Sequence, residues 1–439
     1  MIKFPSKLVD ILTKINARGY EAYFVGGCIR DAILGIETHD IDINTNATTE
    51  VLSELFSMYS PTVYETYGNL TFKLDEYNID ITRFRKEGKY IKHRYPTGIN
   101  FNATLKDDIM RRDFTINALV YHPNKGIGDL VGGLESLKKK EMKTVGNAYL
   151  KLNEDYLRML RMVRFSSKLD FNIEPQAFRI LKEHYYRVAS LGLSQIENDF
   201  LGFLDTKGFV KNALENPWLV TEIITELKEA VEFSQSNIFH SYDLFEHTIR
   251  VVDNVNTLEL KIAALFHDIG KIKCKKENAD GTFSFPGHSS ESLRIMNRYF
   301  SEWNLDKHTK DTVRKLVLLH DLSIPMNYIE MKKLVSLNGV RFMRKLIALK
   351  RSDNLAKSKH AYYQVEKCDN YLMFLDRIEK EKPAVSIKDL AITGDEIDSA
   401  PQVRTRILNE LINLVIEEKL ENNKDALLKA AIRIRDAIY

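Results

Sequence analysis

The stretch Gly26-Gly27-Cys28-Ile29-Arg30-Asp31, followed by Asp40-Ile41-Asp42-Ile43, decides how the first part of this chain folds. Acidic and apolar residues alternate in the second segment, which is typical of a strand with one apolar face. Since residues i and i+2 of a strand share a face, the alternation predicts that Asp40 and Asp42 project together. Two carboxylates this close repel each other unless cations lie between them. Mg²⁺ suits such a pair because it binds carboxylates together with substrate phosphates.

The two glycines ahead of this strand indicate a phosphate site. Gly26 and Gly27 follow a short apolar strand at 23–25 and precede a helical pattern. Without side chains at these positions, backbone N–H groups can approach a phosphate. Arg30 is then placed to neutralise a triphosphate. The combination favours a metal-dependent nucleotide site over a turn with two solvated aspartates.

Strand and helix patterns mix over the first 140 or so residues. The runs 70–74 and 79–84 predict a hairpin with 75–78 as its loop. Beyond about residue 145 strand patterns nearly vanish and helical periodicity dominates. The predicted fold class is therefore an α+β N-terminal head followed by an all-α remainder, and 439 residues predict several domains.

Composition excludes several classes of protein. Lys and Arg number 64 and Asp and Glu 61, so a nucleic-acid partner would need basic residues concentrated on one face. The three cysteines lie far apart, which argues against a disulfide framework or a cysteine metal site. No apolar run resembles a signal peptide or a membrane span, so we expect a cytoplasmic protein with no membrane partner.

The opening block resembles the nucleotidyltransferase superfamily related to DNA polymerase β. More narrowly, it is similar to class II tRNA nucleotidyltransferases (CCA-adding enzymes) and bacterial poly(A) polymerases. The resemblance covers roughly residues 20–170 and implies that Asp40 and Asp42 are catalytic ligands of Mg²⁺. Asp80 is a candidate third carboxylate, with a solvent-facing strand residue as the alternative. Residues 84–96 resemble the family's flexible loop, and 128–134 its hinge between head and neck.

A second block, Arg111–Leu119, carries arginines, a carboxylate and an amide close together. A helical reading predicts that Asp113 and Asn117 share a face. The resemblance implies that the sugar and triphosphate of an incoming nucleotide bind here. The full set of nucleotide-binding residues that it implies is Gly26, Gly27, Arg30, Arg112, Asp113, Asn117, Asp155, Arg158, Arg161 and Arg164.

The third block concerns base choice. Asp155 and Arg158 are three residues apart on a predicted helix and offer acceptors beside a rigid donor fork. The resemblance implies that this pair selects CTP and ATP over UTP and GTP without a nucleic-acid template. Arg158, Arg161 and Arg164 predict a basic stripe for triphosphate or RNA backbone. The family usually carries a Glu-Arg pair downstream, whereas here Glu197 is followed by Asn, so no role is transferred there.

Histidines cluster from about residue 240, and an adjacent His-Asp pair lies at 267–268. Imidazole and carboxylate ligands suit a divalent transition metal, and Mg²⁺ or Mn²⁺ are alternatives. The pattern resembles the HD phosphohydrolase superfamily, in which a metal activates water against a phosphate ester. A weak hydrolase in a domain that mainly holds tRNA is the alternative. The implied ligands are His247, His267, Asp268 and Asp353, with His288 and His320 as optional ones.

Four domains are expected: a head at 1–140, a helical neck at 141–235, an HD body at 236–362 and a helical tail at 363–439. The predicted function is addition of CCA to the tRNA 3′ end from CTP and ATP. An A-adding enzyme or a poly(A) polymerase is the alternative within the family. The alternatives of other classes are a metal-dependent HD phosphohydrolase whose head only binds nucleotide, and a non-catalytic RNA-binding protein.

Overall fold

The computed structural model describes residues 2–235 and 241–438. The chain divides into two compact units, Met1–Ile223 and Ile224–Tyr439. The domain boundary expected at 235/236 borders residues outside the described ranges.

The first unit begins with a mixed α/β region and ends in helices. Short 3₁₀ helices lie at Glu65–Tyr67 and Thr115–Asn117, among others. Its helices and strands are α1 Ser6–Ala17, β1 Ala22–Val25, α2 Gly27–Leu34, β2 Asp40–Thr45, α3 Thr49–Leu55, β3 Thr62–Tyr64, β4 Asn69–Leu74, β5 Tyr77–Arg83, β6 Lys86–Glu87, β7 Tyr90–Ile91, β8 Tyr95–Pro96, β9 Ile99–Asn100, α4 Leu105–Arg111, β10 Val120–His122, β11 Gly126–Gly128, α5 Gly133–Lys139, β12 Glu141–Met142, α6 Ala148–Glu154, α7 Leu157–Leu169, β13 Asn172–Ile173, α8 Pro175–His184, α9 Leu193–Leu204, α10 Phe209–Glu215 and α11 Trp218–Thr221.

A seven-stranded sheet with the order β11-β10-β1-β2-β5-β4-β3 organises the head. Strands β2 and β5 pair in parallel, and the other neighbours pair antiparallel. Ile41 and Ile43 are buried on the core face of β2, whereas Asp40 and Asp42 project from the other face. The alternation predicted for this strand is confirmed.

The hairpin of β4 and β5 is also confirmed, but its predicted four-residue loop is wrong. Tyr77 pairs with Leu74, so only Asp75 and Glu76 form the turn. Asp75 adopts a left-handed backbone, with φ +53°. The hydrophobic pattern misses this end of the strand because Tyr77 and Asn78 pair with β4 through their backbones but bury no side chain.

The second unit is almost wholly helical, as expected of the remainder of the chain. Its α20 and α21 pack on each other around Ile407, Leu411 and Leu427, which are completely buried. None of the described helices is long and apolar enough to cross a membrane. The elements are α12 Leu244–Asp253, α13 Leu258–Phe266, α14 Lys271–Cys274, β14 Lys276–Glu277, β15 Phe283–Ser284, α15 His288–Glu302, α16 Lys307–Leu319, α17 Tyr328–Asn338, α18 Val340–Leu355, α19 Tyr362–Glu381, α20 Pro401–Ile416 and α21 Lys424–Ile438.

Candidate functional sites

Three carboxylates share the open face of the head sheet. The parallel register of β2 and β5 places Asp42 beside Asp80 and Asp40 beside Asn78, whose amide donates to Asp40 over 2.8 Å. Burial raises the pKa of Asp42 to about 6; Asp80 and Asp40 raise it as well, while Arg112 opposes them. Burial also raises the pKa of Asp80. An oxygen-only donor set whose charges repel one another fits a hard divalent cation.

The backbone N–H of Gly26 donates to the Leu119 carbonyl oxygen over 3.0 Å, so this group is engaged within the head. Phosphate binding around Gly26 and Gly27 stays a prediction. Gly26 has φ +73° and begins the turn into α2, and a Cβ there would lie 3.1 Å from an Arg112 guanidinium nitrogen. The glycine therefore allows Arg112 to approach the carboxylate strand closely.

Arg30 lies inside the head rather than on its surface. Its guanidinium donates twice to Asp31, at 2.7 and 2.9 Å, and once to the Asn117 side-chain oxygen at 2.6 Å. In this arrangement Arg30 orients Asn117. Its contact with a triphosphate stays a prediction.

The helix predicted to carry both Asp113 and Asn117 does not exist. Helix α4 ends at Arg111, Arg112 is extended, and Asn117 ends a 3₁₀ turn. The reason is non-local, since the Asp113 carbonyl and the Thr115 N–H both bond to backbone at residues 143–145. The two side chains still meet, with 3.5 Å between the Asn117 amide and Asp113.

Arg161 of α7 binds Asp113 through two nitrogens, at 2.9 and 2.6 Å. Although burial acts to raise it, the pKa of Asp113 is held below its usual range by Arg161. Arg164, one turn later, lies 3.0 Å from Asp199. The predicted basic stripe is therefore largely compensated by carboxylates. Arg161 instead ties α7 to the 112–117 loop of the head.

Asp108 is a site residue that the sequence analysis missed. Its carboxylate is completely buried and accepts hydrogen bonds from the side chains of Asn44, Arg111 and Arg112. The backbone N–H of Arg85 also points at it over 3.4 Å. Asp108 therefore fixes two arginines beside the carboxylate strand. Its sequence signal, an acidic residue in the first turn of a helix, is shared with many surface positions.

Asp155 and Arg158 do not share a helix, contrary to the prediction. Asp155 has an extended backbone after α6, and α7 begins two residues later. The side chains nevertheless lie 4.0 Å apart. Asp155 accepts from Arg94 over 3.1 Å, and Arg158 donates to the Tyr90 hydroxyl over 3.1 Å. Both proposed base readers therefore contact the segment that resembles the flexible loop.

Two adjoining cavities connect these groups. One, of about 490 Å³, is lined by Asp113, Asp155, Arg158 and Arg161. The next, of about 520 Å³, reaches the carboxylates of β2 and β5. Both are lined by Tyr67, Arg85, Arg111 and Arg112. A polar, cation-lined path thus runs from the Asp155–Arg158 pair to Asp42 and Asp80.

In the second unit, the predicted metal ligands converge. The ligand atoms of His247, His267, Asp268 and Asp353 all lie within 4.8 Å of one another. His247 Nε2 is 3.5 Å from Asp268 and 3.2 Å from Asp353, and His267 Nε2 is 3.2 Å from Asp268. This buried set of nitrogen and carboxylate donors fits a divalent metal.

The two optional histidines complete a second group with Asp268. His288 Nε2 and His320 Nε2 lie 3.1 Å apart, and 3.3 and 3.4 Å from Asp268. All four histidine rings of the two groups present Nδ1 to a backbone carbonyl, which only accepts. Nδ1 therefore carries the proton and Nε2 the lone pair. Two facing lone pairs beside a carboxylate suit a bound cation.

The burial of Asp42, with repulsion from its neighbours, makes a prediction about stability. Because its folded pKa of about 6 exceeds the ordinary 3.8, the ionised carboxylate destabilises the metal-free fold. Asp42→Asn should raise the unfolding free energy of metal-free protein by roughly 3 kcal/mol at pH 7. The gain should vanish as the pH falls from about 6 toward 3.8. Urea unfolding across this range measures it, and an Asp42→Asn protein that is less stable at pH 7 contradicts the account.

Asp108 gives the opposite expectation. Asp108→Asn should destabilise the head by about 3 kcal/mol, because Arg111 and Arg112 lose their buried counter-charge. Asp107→Asn is the matched control, since that neighbouring carboxylate caps α4 at the surface and should cost about 1 kcal/mol. Chemical denaturation compares them, and equal losses would argue that Asp108 is an ordinary helix residue.

Comparison with known proteins places both units. The profile described as Poly A polymerase head domain matches residues 22–143, and that described as HD domain matches 214–378. The CCA-adding enzyme of Lactococcus lactis subsp. cremoris MG1363 is 39% identical over 200 residues, 44% of this chain and 50% of the relative. That of Staphylococcus haemolyticus is 27% identical over 428 residues, 95% of each chain. The first of these alignments thus spans about half the length of the curated relative.

Solved structures share the fold. The Bacillus stearothermophilus CCA-adding enzyme in complex with CTP matches with a TM-score of 0.69 and 20% identity, covering 99% of this chain and 98% of that one. The Thermotoga maritima CCA-adding enzyme complexed with tRNA matches with a TM-score of 0.55 and 15% identity, covering 99% and 97%. The two domain matches, the full-length relative and this fold agree. The chain therefore carries a domain of the Poly A polymerase head family at 22–143 and an HD domain at 214–378, and it is similar along its length to CCA-adding enzymes.

Proposed function

We propose that the first unit adds CCA to the 3′ end of tRNA, using CTP and ATP without a nucleic-acid template. The observation that carries this is the path from the Asp42–Asp80 carboxylates to the Asp155–Arg158 pair. Such a path accommodates a triphosphate at one end and a base at the other. The relatives named CCA-adding enzyme, and solved ones bound to CTP and tRNA, support this choice of substrates.

Asp40 and Asp42 would hold Mg²⁺, which supplies positive charge to the attacking hydroxyl and the leaving pyrophosphate. Arg111 and Arg112, held by Asp108, would bind the triphosphate. With its pKa near 6, Asp42 is mostly ionised at neutral pH and competent to bind a cation. The RNA 3′-oxygen attacks the α-phosphate, and pyrophosphate leaves as that bond forms.

Base choice follows from hydrogen-bond polarity. Cytosine and adenine both carry an exocyclic amino donor where the competing bases carry a carbonyl acceptor. The Asp155 carboxylate accepts only, so it favours the amino bases and repels a carbonyl. Arg158 supplies the complementary donors. Arg94, which now binds Asp155, would have to share that carboxylate with the base.

Removing either catalytic carboxylate tests the proposal. Asp40→Asn and Asp42→Asn should each lower CTP incorporation into tRNA lacking CCA by about a hundredfold or more, because a metal ligand is lost. Asp75→Asn, in the exposed turn of the same sheet, is the control and should keep normal activity. Labelled nucleotide transfer under single-turnover conditions measures this. Unchanged incorporation in both active-site variants would make the transferase assignment wrong.

An A-adding enzyme or a poly(A) polymerase would use the same carboxylates. The segment 84–100, which supplies Tyr90 and Arg94 to the base readers, argues against addition of CC alone. A relative named CCA-adding enzyme that aligns along 95% of this chain favours full CCA addition.

A second activity is favoured by the histidine cluster of the other unit. We infer that it binds two divalent ions that share Asp268, and that it hydrolyses a phosphate ester. The inward orientation of four Nε2 atoms supports the ligand set. Metal bound there would supply an activated water, and the ligand carboxylates would keep it in place.

The shared carboxylate makes this second proposal testable. Calorimetric titration with Mn²⁺ should give two ions in unit 2 for the intact ligand set, and His288→Ala should remove one of them. His267→Ala should abolish metal-dependent hydrolysis of 2′,3′-cyclic phosphates. Both titrations use protein that also carries Asp40→Asn and Asp42→Asn, so that the head carboxylates bind no metal. If no such hydrolysis exists, or His267→Ala leaves it unaltered, the HD cluster is structural.

A further inference from the structure

Tyr64 lies on the same sheet face as the catalytic carboxylates. The strand registers place Tyr64 opposite Asn69, Asn69 opposite Thr82, and Thr82 opposite Asn44. Directly paired residues of neighbouring strands project to the same face. Asn44 follows Asp42 by two residues on β2 and so shares its face. A continuous polar row thus connects Tyr64 on the edge strand with the metal-binding side of the sheet.

A second tyrosine, Tyr67, joins Tyr64 in the wall of the 520 Å³ cavity that contains Asp42 and Asp80. The two residues are 49% and 53% exposed. Within the described part of the chain, neither ring stacks on another ring and neither hydroxyl has a hydrogen-bond partner. Tyrosines that only stabilise a fold bury the ring or bond the hydroxyl. These two instead present apolar ring surface to a polar cavity.

The backbone holds this pair in place. Gly68, directly after Tyr67, has φ +64°, and a Cβ there would lie 2.3 Å from the Phe101 ring. Phe101 in turn lies against the Arg83 guanidinium at 4.5 Å. Arg85 also donates to the Tyr67 carbonyl oxygen over 3.2 Å. The backbone of the turn that carries Tyr67 is therefore held by Phe101 and Arg85, while the Tyr67 side chain stays half exposed at the cavity wall.

An RNA acceptor must bring its 3′-oxygen to the carboxylates without entering the cavity of the Asp155–Arg158 pair, which the incoming base occupies. Aromatic rings stack on any base because every base has a π-face. Such tolerance suits an acceptor whose terminal base changes with each addition. We propose that Tyr64 and Tyr67 form a stacking platform for the terminal bases of the RNA acceptor. This inference rests on the proposed transferase function and assigns the acceptor side of its site.

Steady-state kinetics separate this role from the alternatives. Tyr64→Ala and Tyr67→Ala should each raise the KM for tRNA lacking CCA by about tenfold, since stacking on one base is lost. Tyr64 lines the carboxylate cavity and is absent from the wall of the Asp155–Arg158 cavity, so Tyr64→Ala should keep the KM for CTP within about twofold of the unchanged protein. Tyr64→Phe and Tyr67→Phe keep the ring and should behave normally. Tyr186→Ala, at an equally exposed position of the neck, is the matched control.

A binding measurement keeps the test independent of chemistry. A short RNA hairpin with a 2-aminopurine next to a 3′-deoxy terminus cannot react, and stacking quenches its fluorescence. The platform predicts quenching by the unchanged protein and by both Phe variants, and loss of quenching with the Tyr64→Ala, Tyr67→Ala double variant. A double variant with normal acceptor KM and quenching overturns the platform, as does a parallel rise in the KM for CTP in Tyr64→Ala. If the unchanged protein adds no nucleotide, the proposed function fails, while the quenching result still decides the platform.

Discussion

The proposed transferase site depends on a buried carboxylate that lines neither of its two cavities. Asp108 sits under the site and accepts from Asn44, Arg111 and Arg112. A buried charge without partners costs several kcal/mol, so these donors are held in one arrangement once α4 packs on the sheet. Asn44 belongs to the strand that carries Asp42. The hydrogen bonds to Asp108 therefore set the positions of Arg111 and Arg112 relative to the carboxylates of β2.

The opposite electrostatic situation exists across the cavity. Asp40, Asp42 and Asp80 repel one another on the open face, and burial together with this repulsion raises the pKa of Asp42. A site that binds a metal ion needs such an excess of negative charge. The bound cation then supplies the attraction that offsets the repulsion between the carboxylates. The carboxylates of the other unit differ, because Lys271 lies 2.6 Å from Asp268 and Lys357 lies 2.6 Å from Asp353. Although burial acts to raise them, the pKa values of both carboxylates are held well below the usual range.

Sequence reasoning succeeded where periodicity is local. The alternation at 40–43, the glycine turn before α2 and the helical second unit all follow from neighbours in the chain. The HD ligands, which are far apart in sequence, were predicted from the resemblance to a family. It failed where distant backbone decides. The 3₁₀ turn at Thr115–Asn117 forms because its loop pairs with residues 143–145. Asp155 is extended and interrupts the predicted helix between α6 and α7. Asp108 could not be predicted from the sequence, because it differs from Asp107 only in being buried and not in any pattern of residue types.

The central claim is that the two cavities between Asp42 and the Asp155–Arg158 pair select C and A for addition to an RNA 3′ end without a nucleic-acid template. The most direct measurement offers tRNA ending at the discriminator base, at C and at CC, each with one labelled triphosphate at a time, and reads the added lengths. The account predicts incorporation of CTP on the first two substrates, a single AMP on the third, and none from UTP or GTP. A long A tail, or addition that ignores the identity of the base, would contradict it.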